Sequence, residues 1–231
     1  MGAGTDSARH EVSAPAARVG GLIGIAPEGV ALALGLAGLG VVLEILGVRA
    51  LGAIVVLAAL AIAMFFRDPE RYPAREDGVI LSAADGKVTE VAETAFPGER
   101  TRAGLRVSVF MSPLDVHVNR APARGTVERI EHTPGKFSAA FRDQASEHNE
   151  RNLIVLGEPG GPQVALVQVA GYLARRIVCR VRAGDRIQPA QRIGLIMFGS
   201  RVDHYLPAGY RVTVARGDRV RAGESVIGEL S

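Results

Sequence analysis

The sequence predicts a mainly β protein, a compact β-sandwich or barrel with pseudo-symmetric hairpins, preceded by an apolar helical hairpin. Three observations lead to this prediction. After Pro73, short apolar stretches alternate with Gly, Pro and Asp, which is typical of strands separated by tight turns. Between Gly29 and Phe66 lie two long apolar runs. In the C-terminal part, a strand-turn-strand pattern occurs twice.

Composition sets the first bounds on function. The chain has 231 residues, a net charge of +3 and 27 Lys and Arg, of which only Lys87 and Lys136 are lysines. Arginine suits planar contact with phosphate or carboxylate, although a GC-rich genome also encodes it in excess. The single cysteine, Cys179, excludes an intrachain disulfide and fits a reducing compartment.

The chain up to Phe66 divides into a tail and an apolar hairpin. Residues 1–18 mix small, polar and charged types and are predicted to be a disordered tail. The segment 19–66 contains two uncharged runs, 29–43 and 50–66, separated by a short turn. As a helix, the second run spans about 26 Å, close to the thickness of a bilayer's hydrocarbon core. We therefore predict a hairpin that crosses or dips into a lipid bilayer, with a buried soluble helix pair as the alternative.

Basic residues on both flanks of the hairpin predict its orientation. Arg9 and Arg18 precede it, and Arg67, Arg71 and Arg75 follow it. The positive-inside rule places both flanks in the cytoplasm. The body of residues 67–231 is therefore expected on the cytoplasmic side of the membrane.

Ten strands are predicted in this body from short apolar runs bounded by turn residues. They cover residues 79–81, 87–91, 105–111, 125–130, 153–156, 164–170, 177–181, 193–198, 210–215 and 225–229. Few segments are long enough for a helix, and the strongest candidate is 139–149.

A seven-residue motif occurs twice, at two of the predicted turns. Residues 181–187 (Val-Arg-Ala-Gly-Asp-Arg-Ile) return 33 positions later as residues 214–220 (Val-Ala-Arg-Gly-Asp-Arg-Val). The pattern resembles the half-motifs of biotinyl and lipoyl carrier domains. Those carriers present a modifiable lysine, and neither half contains one. The repeated motif therefore indicates a fold and not a function, and a carrier role is poorly supported.

The strongest chemical candidate is Ser200, which follows Gly199 at the end of an apolar strand. Glycine has no Cβ and can adopt the strained backbone angles that bring a serine hydroxyl against the preceding carbonyl. In an N-to-O acyl shift, Ser200 attacks the Gly199 carbonyl, the ester eliminates, and the new N-terminus becomes a pyruvoyl group. Gly-Ser is also common in ordinary turns, so this hypothesis depends on the rest of the chain.

Asp85 and His117 are the candidates for proton transfer. Asp85 lies in an Asp-Gly turn, which is also a common hairpin signal. In an extended segment, His117 shares a polar face with Asp115 and Asn119. No His, Cys or carboxylate pair has metal-ligand spacing, so no metal site is predicted. A serine hydrolase with a Ser200, His117 and Asp85 triad is one alternative, and a membrane-anchored adaptor without catalysis is another.

From Phe65 to the end, the chain resembles the phosphatidylserine decarboxylase family in its short bacterial form. Each matching piece is short, but seven occur in the family's order between Phe65 and Ser200. The pieces are Phe65-Phe66-Arg67-Asp68-Pro69, Ala84-Asp85-Gly86, Asp115-Val116-His117 with Arg120 and Pro122, Gly135-Lys136-Phe137, Asn149-Glu150-Arg151-Asn152, Gln168-Val169-Ala170-Gly171 with Ala174-Arg175-Arg176-Ile177, and Phe198-Gly199-Ser200.

This resemblance implies self-cleavage between Gly199 and Ser200. The products would be a large chain of residues 1–199 and a small chain of residues 200–231, which carries a covalent pyruvoyl cofactor derived from Ser200. It also implies that Asp85 and His117 assist processing and catalysis. Longer family members carry a second histidine three residues after the first, where this chain has Arg120, and their Leu-Gly-Ser motif reads Phe-Gly-Ser here.

The resemblance further implies decarboxylation of phosphatidylserine to phosphatidylethanolamine at the bacterial inner membrane. The expected partners are this lipid, the bilayer and the two chains of one precursor. No nucleic acid is expected, and a homodimer is compatible with the sequence. Arg120, Arg175 and Arg176 are the predicted ligands of the substrate's phosphate or carboxylate.

Overall fold

The structure is a computed structural model that describes residues 24–97, 99–135, 149–158, 161–171, 176–197 and 199–231, without the side chains of residues 99–102. The predicted tail of residues 1–18 lies outside the described residues, as does the candidate helix at 139–149 except for its last residue.

Two helices form the predicted hairpin, α1 (Pro27–Ile45) and α2 (Arg49–Phe65). Gly47, with a φ of +81°, lies in the turn between them. Small residues allow the helices to approach closely, since a Cβ on Gly40 would lie 2.6 Å from Val56 Cγ2. Helix α1 is long and apolar enough to cross a membrane, and only 17% of it is buried within the protein.

The body consists of fourteen strands among the described residues, so the prediction of a mainly β fold is confirmed. The strands are β1 (Val79–Leu81), β2 (Gly86–Phe96), β3 (Glu99–Met111), β4 (Val118–Arg120), β5 (Gly125–Thr133), β6 (Arg151–Gly157), β7 (Val164–Val169), β8 (Ile177–Cys179), β9 (Arg186–Ile187), β10 (Arg192–Ile196), β11 (Ser200–Leu206), β12 (Tyr210–Val212), β13 (Arg219–Val220) and β14 (Val226–Leu230).

One curled antiparallel sheet of eight strands dominates the body, in the order β13-β2-β3-β11-β7-β6-β5-β9. Two three-stranded sheets accompany it, in the orders β1-β14-β12 and β4-β10-β8. All ten predicted segments contain a strand, but the short strands β4, β9 and β13 and the long strand β11 were not predicted. Strand β11 lies in the middle of the large sheet, between β3 and β7, and begins at Ser200.

The hairpin is joined to the body by an apolar cluster. Phe65 and Phe66 at the end of α2 are each 6% exposed and pack with Val116, Val118 and Leu195. Burial of an aromatic side chain stabilises by roughly 1.5–3 kcal/mol. The hairpin is therefore anchored beside strands β4 and β10.

Buried ion pairs reinforce this junction. Both carboxylate oxygens of Asp68 are used, because Oδ1 accepts from Arg120 Nη2 at 3.0 Å and Oδ2 accepts from Arg192 Nε at 2.6 Å. Asp68 is 1% exposed, and Arg192 also contacts Glu70 at 2.7 Å. Asp68 thus connects the end of the hairpin to β4 and β10 through two ion pairs.

The two turns with the repeated motif, in residues 181–187 and 214–220, have the same local geometry. Asp185 Oδ2 accepts from the backbone N–H of Arg182 at 2.8 Å, and Asp218 Oδ2 accepts from that of Ala215 at 2.8 Å. The glycine before each aspartate has a positive φ, 93° and 106°. The turns lead into β9 and β13, which lie at opposite edges of the large sheet. The likeness to biotinyl domains stays a prediction.

Candidate active site

Ser200 is completely buried at the start of β11, opposite Met111, the last residue of β3. Its hydroxyl donates to Met111 Sδ at 3.4 Å. Gly199 before it has a φ of +59°, the left-handed conformation that glycine adopts at little cost. A Cβ at Gly199 would meet nothing within 4 Å, so the backbone angle, not space, favours glycine here.

The fold places His117 beside the segment that ends at Gly199. Met111 pairs with Ser200, and Val118 pairs with Leu195, so residues 112–117 lie between two points at which the chain pairs with the region around Gly199. The carbonyl of His117 accepts from the backbone N–H of Ile196 at 3.3 Å.

The contacts of His117 define its protonation. Nδ1 lies 2.9 Å from the carbonyl oxygen of Asp115. Because a carbonyl only accepts, Nδ1 carries the proton and Nε2 keeps its lone pair. Nε2 is buried and has no hydrogen-bond partner among the described residues. Burial lowers the pKa of His117 to about 4, so the ring is neutral near pH 7 and its Nε2 lone pair is unprotonated.

The end of the hairpin forms one wall of the histidine site. The rings of Phe65 and His117 have centroids 4.3 Å apart and an interplanar angle of 36°. Arg67 donates to the carbonyls of Met64 at 2.8 Å and Leu114 at 2.5 Å. The last turn of α2 is thereby fastened to the loop that carries His117.

Asp85 lies in a loop that contacts strand β4, because the carbonyl of Ala83 accepts from the backbone N–H of Arg120 at 2.9 Å. Its Oδ1 accepts from the backbone N–H of Ala222 at 2.8 Å, and its Oδ2 pairs with Arg71 at 2.8 Å. Its negative charge favours protonation of His117 and so acts against the larger effect of burial, which lowers the pKa of His117. Gly86 follows with a φ of +146°, and a Cβ there would lie 2.0 Å from the carbonyl oxygen of Phe110. Close approach to β3 therefore requires this glycine.

The three predicted catalytic residues each have other hydrogen-bond partners and do not form a hydrolase triad. Ser200 bonds to Met111, His117 Nδ1 to the Asp115 carbonyl, and Asp85 to Arg71 and Ala222. In a serine hydrolase, the carboxylate would receive the histidine Nδ1–H, and the other ring nitrogen would face the hydroxyl. The described contacts therefore do not favour the hydrolase alternative.

Arg120 is buried at the junction between the hairpin and the body. It is 1% exposed and donates to Asp68, to the carbonyl of Pro69 at 2.6 Å and to that of Ala190 at 3.0 Å. Its guanidinium therefore stabilises the junction with the hairpin, and contact with the substrate stays a prediction.

The other two predicted arginines differ in placement. Arg175 lies outside the described residues. Arg176 is exposed, and its carbonyl accepts from the backbone N–H of Met197 at 3.2 Å, two residues before Gly199. Among the described residues, no ion pair involves its guanidinium, so the charge next to the cleavage segment is available to an anion.

His204 is a residue that sequence reasoning missed. It is completely buried, its Nδ1 donates to the carbonyl of Val107 at 3.0 Å, and its Nε2 accepts from the N–H of Ala83 at 2.8 Å. Burial lowers its pKa to about 4. Because Ala83 lies two residues before Asp85, His204 holds the Asp85 loop in place. The strand alternation that places Ser200 and His204 on one face of β11 could have revealed it.

The described residues contain no group of three or more His, Cys, Asp or Glu side chains that could hold a metal ion. Their main chemical features are a buried serine behind a left-handed glycine and a neutral histidine with a free lone pair. These are the groups that a nucleophile-and-base site requires, and they lie beside an apolar hairpin.

Comparison with known proteins identifies the family. The family model described as phosphatidylserine decarboxylase matches residues 58–228. A phosphatidylserine decarboxylase proenzyme of Symbiobacterium thermophilum is 50% identical over 184 residues, which cover 78% of this chain and 84% of that protein. One from Desulfotalea psychrophila is 46% identical over 177 residues, covering 77% of this chain and 83% of its own. The chain belongs to the phosphatidylserine decarboxylase family and is an enzyme, a carboxy-lyase.

Proposed function

We propose that the chain is a proenzyme that cuts itself between Gly199 and Ser200 and then decarboxylates phosphatidylserine to phosphatidylethanolamine. The relatives' names support the substrate and the proenzyme form. The observation that carries the proposal is the placement of Ser200, which is buried, preceded by a left-handed glycine and close to the loop of a neutral histidine.

The cutting reaction uses groups of the chain and one water molecule, which is consumed in the last step. Ser200 Oγ bonds to the carbonyl carbon of Gly199, its proton passes to a base, and the carbonyl π electrons move to oxygen. Collapse breaks the Gly199 C–N bond, and the nitrogen takes up a proton, which leaves an ester. Loss of the Ser200 α-proton then expels the Gly199 carboxylate, and hydrolysis of the resulting enamine releases ammonia and a pyruvoyl group.

His117 is the base that best fits this sequence. Its Nε2 has a lone pair, is buried and lacks a partner among the described residues, and the ring is neutral because burial lowers its pKa to about 4. A positioned general base typically contributes about 10²- to 10⁴-fold. Asp85 holds Arg71 and the backbone at Ala222, so we propose that it positions this region and supports His117 through its charge.

The fold keeps the two products together. The small chain would begin at β11, which pairs with β3 over seven residues and with β7 over five. Its later strands β13 and β14 pair with β2 and β1 of the large chain. Cutting before Ser200 therefore leaves a new terminus inside the sheet, where water is scarce.

The residues around Ser200 fit a pyruvoyl group, because the serine is buried and the unpartnered His117 Nε2 lies in the facing loop region. Once formed, this group supplies the electron sink that a decarboxylation requires. His117 can return a proton to the substrate carbon after carbon dioxide leaves. Arg176, exposed next to Met197, can hold the anionic headgroup, and Arg175 is proposed for the same task from its sequence position.

A lipid substrate agrees with the hairpin. Helix α1 has 19 residues, about 28 Å, and both helices expose large apolar side chains, including Leu34, Ile54 and Leu57. We propose that the hairpin inserts into the inner membrane from the cytoplasmic side. Since α2 ends at Phe65, which contacts His117, the site would then lie at headgroup level.

Substitution of Ser200 tests the proposal. Ser200→Ala should remain one chain and be inactive, because no hydroxyl can attack the Gly199 carbonyl. Ser200→Cys keeps a nucleophile and should cut slowly. Complete cutting of Ser200→Ala, observed on denaturing gels, would contradict self-cleavage by this serine and point to an external protease.

A further inference from the structure

Three amide side chains form a continuous line through the interior and end at Ser200's partner. Asn152 on β6, Gln168 on β7 and Asn119 on β4 are 2%, 0% and 0% exposed. Asn152 Nδ2 donates to Gln168 Oε1 at 2.9 Å, and Gln168 Nε2 donates to Asn119 Oδ1 at 2.8 Å. Asn119 Nδ2 then donates to Met111 Sδ at 3.7 Å.

The direction of this line is uniform. Each of the three amide nitrogens donates to the next residue in the line. The oxygens of Gln168 and Asn119 accept from the preceding residue, so the amide dipoles are aligned. Such a chain polarises its members, which makes the final N–H a stronger donor than an isolated amide. The positive end of the line lies at Asn119 Nδ2.

This positive end lies close to the nucleophile. Ser200 Oγ and Asn119 Nδ2 contact the same sulfur, at 3.4 Å and 3.7 Å, so they are at most about 7 Å apart. A thioether is a weak acceptor. An N–H that donates to such a sulfur would form a stronger hydrogen bond with an oxyanion beside it.

The line is also difficult to explain as packing alone. Burial of a side-chain amide has a desolvation cost, and replacing both partners of a buried bond with apolar groups of the same shape can be nearly neutral. The same interior contains an apolar cluster that includes Val107, Leu166 and Val202, beside buried polar groups such as Ser200 and His204. A polar line that spans three strands and ends on Met111 Sδ, the atom that Ser200 also contacts, therefore suggests a chemical task.

We propose that Asn119 stabilises the oxyanion of the self-cleavage step, with Gln168 and Asn152 as positioning residues. When Ser200 Oγ bonds to the Gly199 carbonyl carbon, the π electrons move to the carbonyl oxygen, and Asn119 Nδ2–H donates to that oxygen. Collapse returns the electrons, breaks the C–N bond and releases the contact. This inference rests on the proposed self-cleavage.

The test compares the cutting rate of newly translated full-length variants in lipid nanodiscs. Asn119→Ala should cut about 10²- to 10³-fold more slowly than wild type, the usual loss for one oxyanion donor. Ser108→Ala is the matched control, because Ser108 Oγ is also buried on β3 but has no partner among the described residues. It should cut at the wild-type rate.

Asn119→Asp separates catalysis from folding, since it preserves the shape of the side chain. At pH 8 an ionised carboxylate cannot donate and repels the oxyanion, so cutting should be slow. Cutting should recover as the pH falls towards 5.5, because the protonated acid can donate, and burial raises the pKa of such a carboxyl. Because an ionised buried carboxylate also destabilises the fold, urea unfolding of the variant is measured at both pH values, and the recovery of cutting should exceed what the change in stability explains.

Hydroxylamine identifies the step, because it cleaves the ester but not the amide. Asn119→Ala should lose hydroxylamine-dependent and spontaneous cutting in parallel. Fast hydroxylamine cleavage of this variant, or a wild-type rate in both Asn119 variants, would overturn the inference and leave self-cleavage intact. An uncut wild type would instead overturn the proposed function.

Discussion

Acidification should destabilise the protein through two buried histidines, His117 and His204. Burial lowers the pKa of each to about 4, although hydrogen bonds to the carbonyls of Asp115 and Val107 oppose the shift. In the unfolded chain each pKa is about 6.5. Between these values the unfolded chain binds protons that the folded chain does not, so the free energy of unfolding rises with pH. The contribution is complete above about pH 6.5 and is lost as the pH falls towards 4.

The magnitude follows from the two pKa values. At about 1.4 kcal/mol for each pH unit, the change from 6.5 to about 4 corresponds to about 3 kcal/mol per histidine. Both together give about 6 kcal/mol, a large part of the roughly 5–15 kcal/mol that stabilises a typical domain.

The assay is urea unfolding of the uncut Ser200→Ala protein in detergent, followed by circular dichroism at several pH values from 8 to 4.5. The matched variant adds His204→Gln, because a glutamine amide can donate to the Val107 carbonyl and accept from the Ala83 N–H without titrating. The variant should lose about half of the histidine-dependent fall in stability. An identical fall in both proteins would refute the assignment of His204 as a buried, neutral ring.

Three further outcomes are expected. Phe65→Ala should admit water to His117 and raise its pKa towards 6.5, so the acid limb of the cutting rate should move to higher pH; an unchanged pH profile would separate the hairpin from the site. Arg120→Met should leave Asp68 short of a partner and reduce the free energy of unfolding by about 3–5 kcal/mol, measured by urea unfolding, without a selective rise in KM for lipid. Deletion of residues 29–61, which retains Phe65 and Phe66, should preserve cutting but reduce turnover of bilayer-embedded lipid relative to detergent-dispersed lipid; equal loss in both would mean that the hairpin is needed for folding.

Local chemistry allowed the sequence to indicate Ser200, His117 and the strands around them. Glycine can adopt backbone angles that other residues rarely adopt, whatever the fold, and Gly199 has a φ of +59°. Short apolar runs bounded by turns likewise identify strands, because burial and turn chemistry act within a few residues.

Long-range pairing explains what the sequence could not show. Arg120 looked available to a substrate, but its partner Asp68 lies 52 positions earlier and is brought to it by the hairpin junction. Strand β11 escaped prediction because Arg201 and Asp203 suggest an exposed segment, whereas both are buried and pair with each other at 2.8 Å. Asn152 meets Gln168 only through the register of β6 with β7.

The N-terminus of the small chain tests the central claim most directly. Denaturing mass spectrometry of the purified wild type should show two chains, and the chain from position 200 should resist Edman degradation. It should also gain mass on borohydride reduction in the presence of an amine, since a ketone replaces the α-amino group. A single intact chain of 24.3 kDa, or a small chain with an ordinary N-terminal serine, would contradict the pyruvoyl assignment.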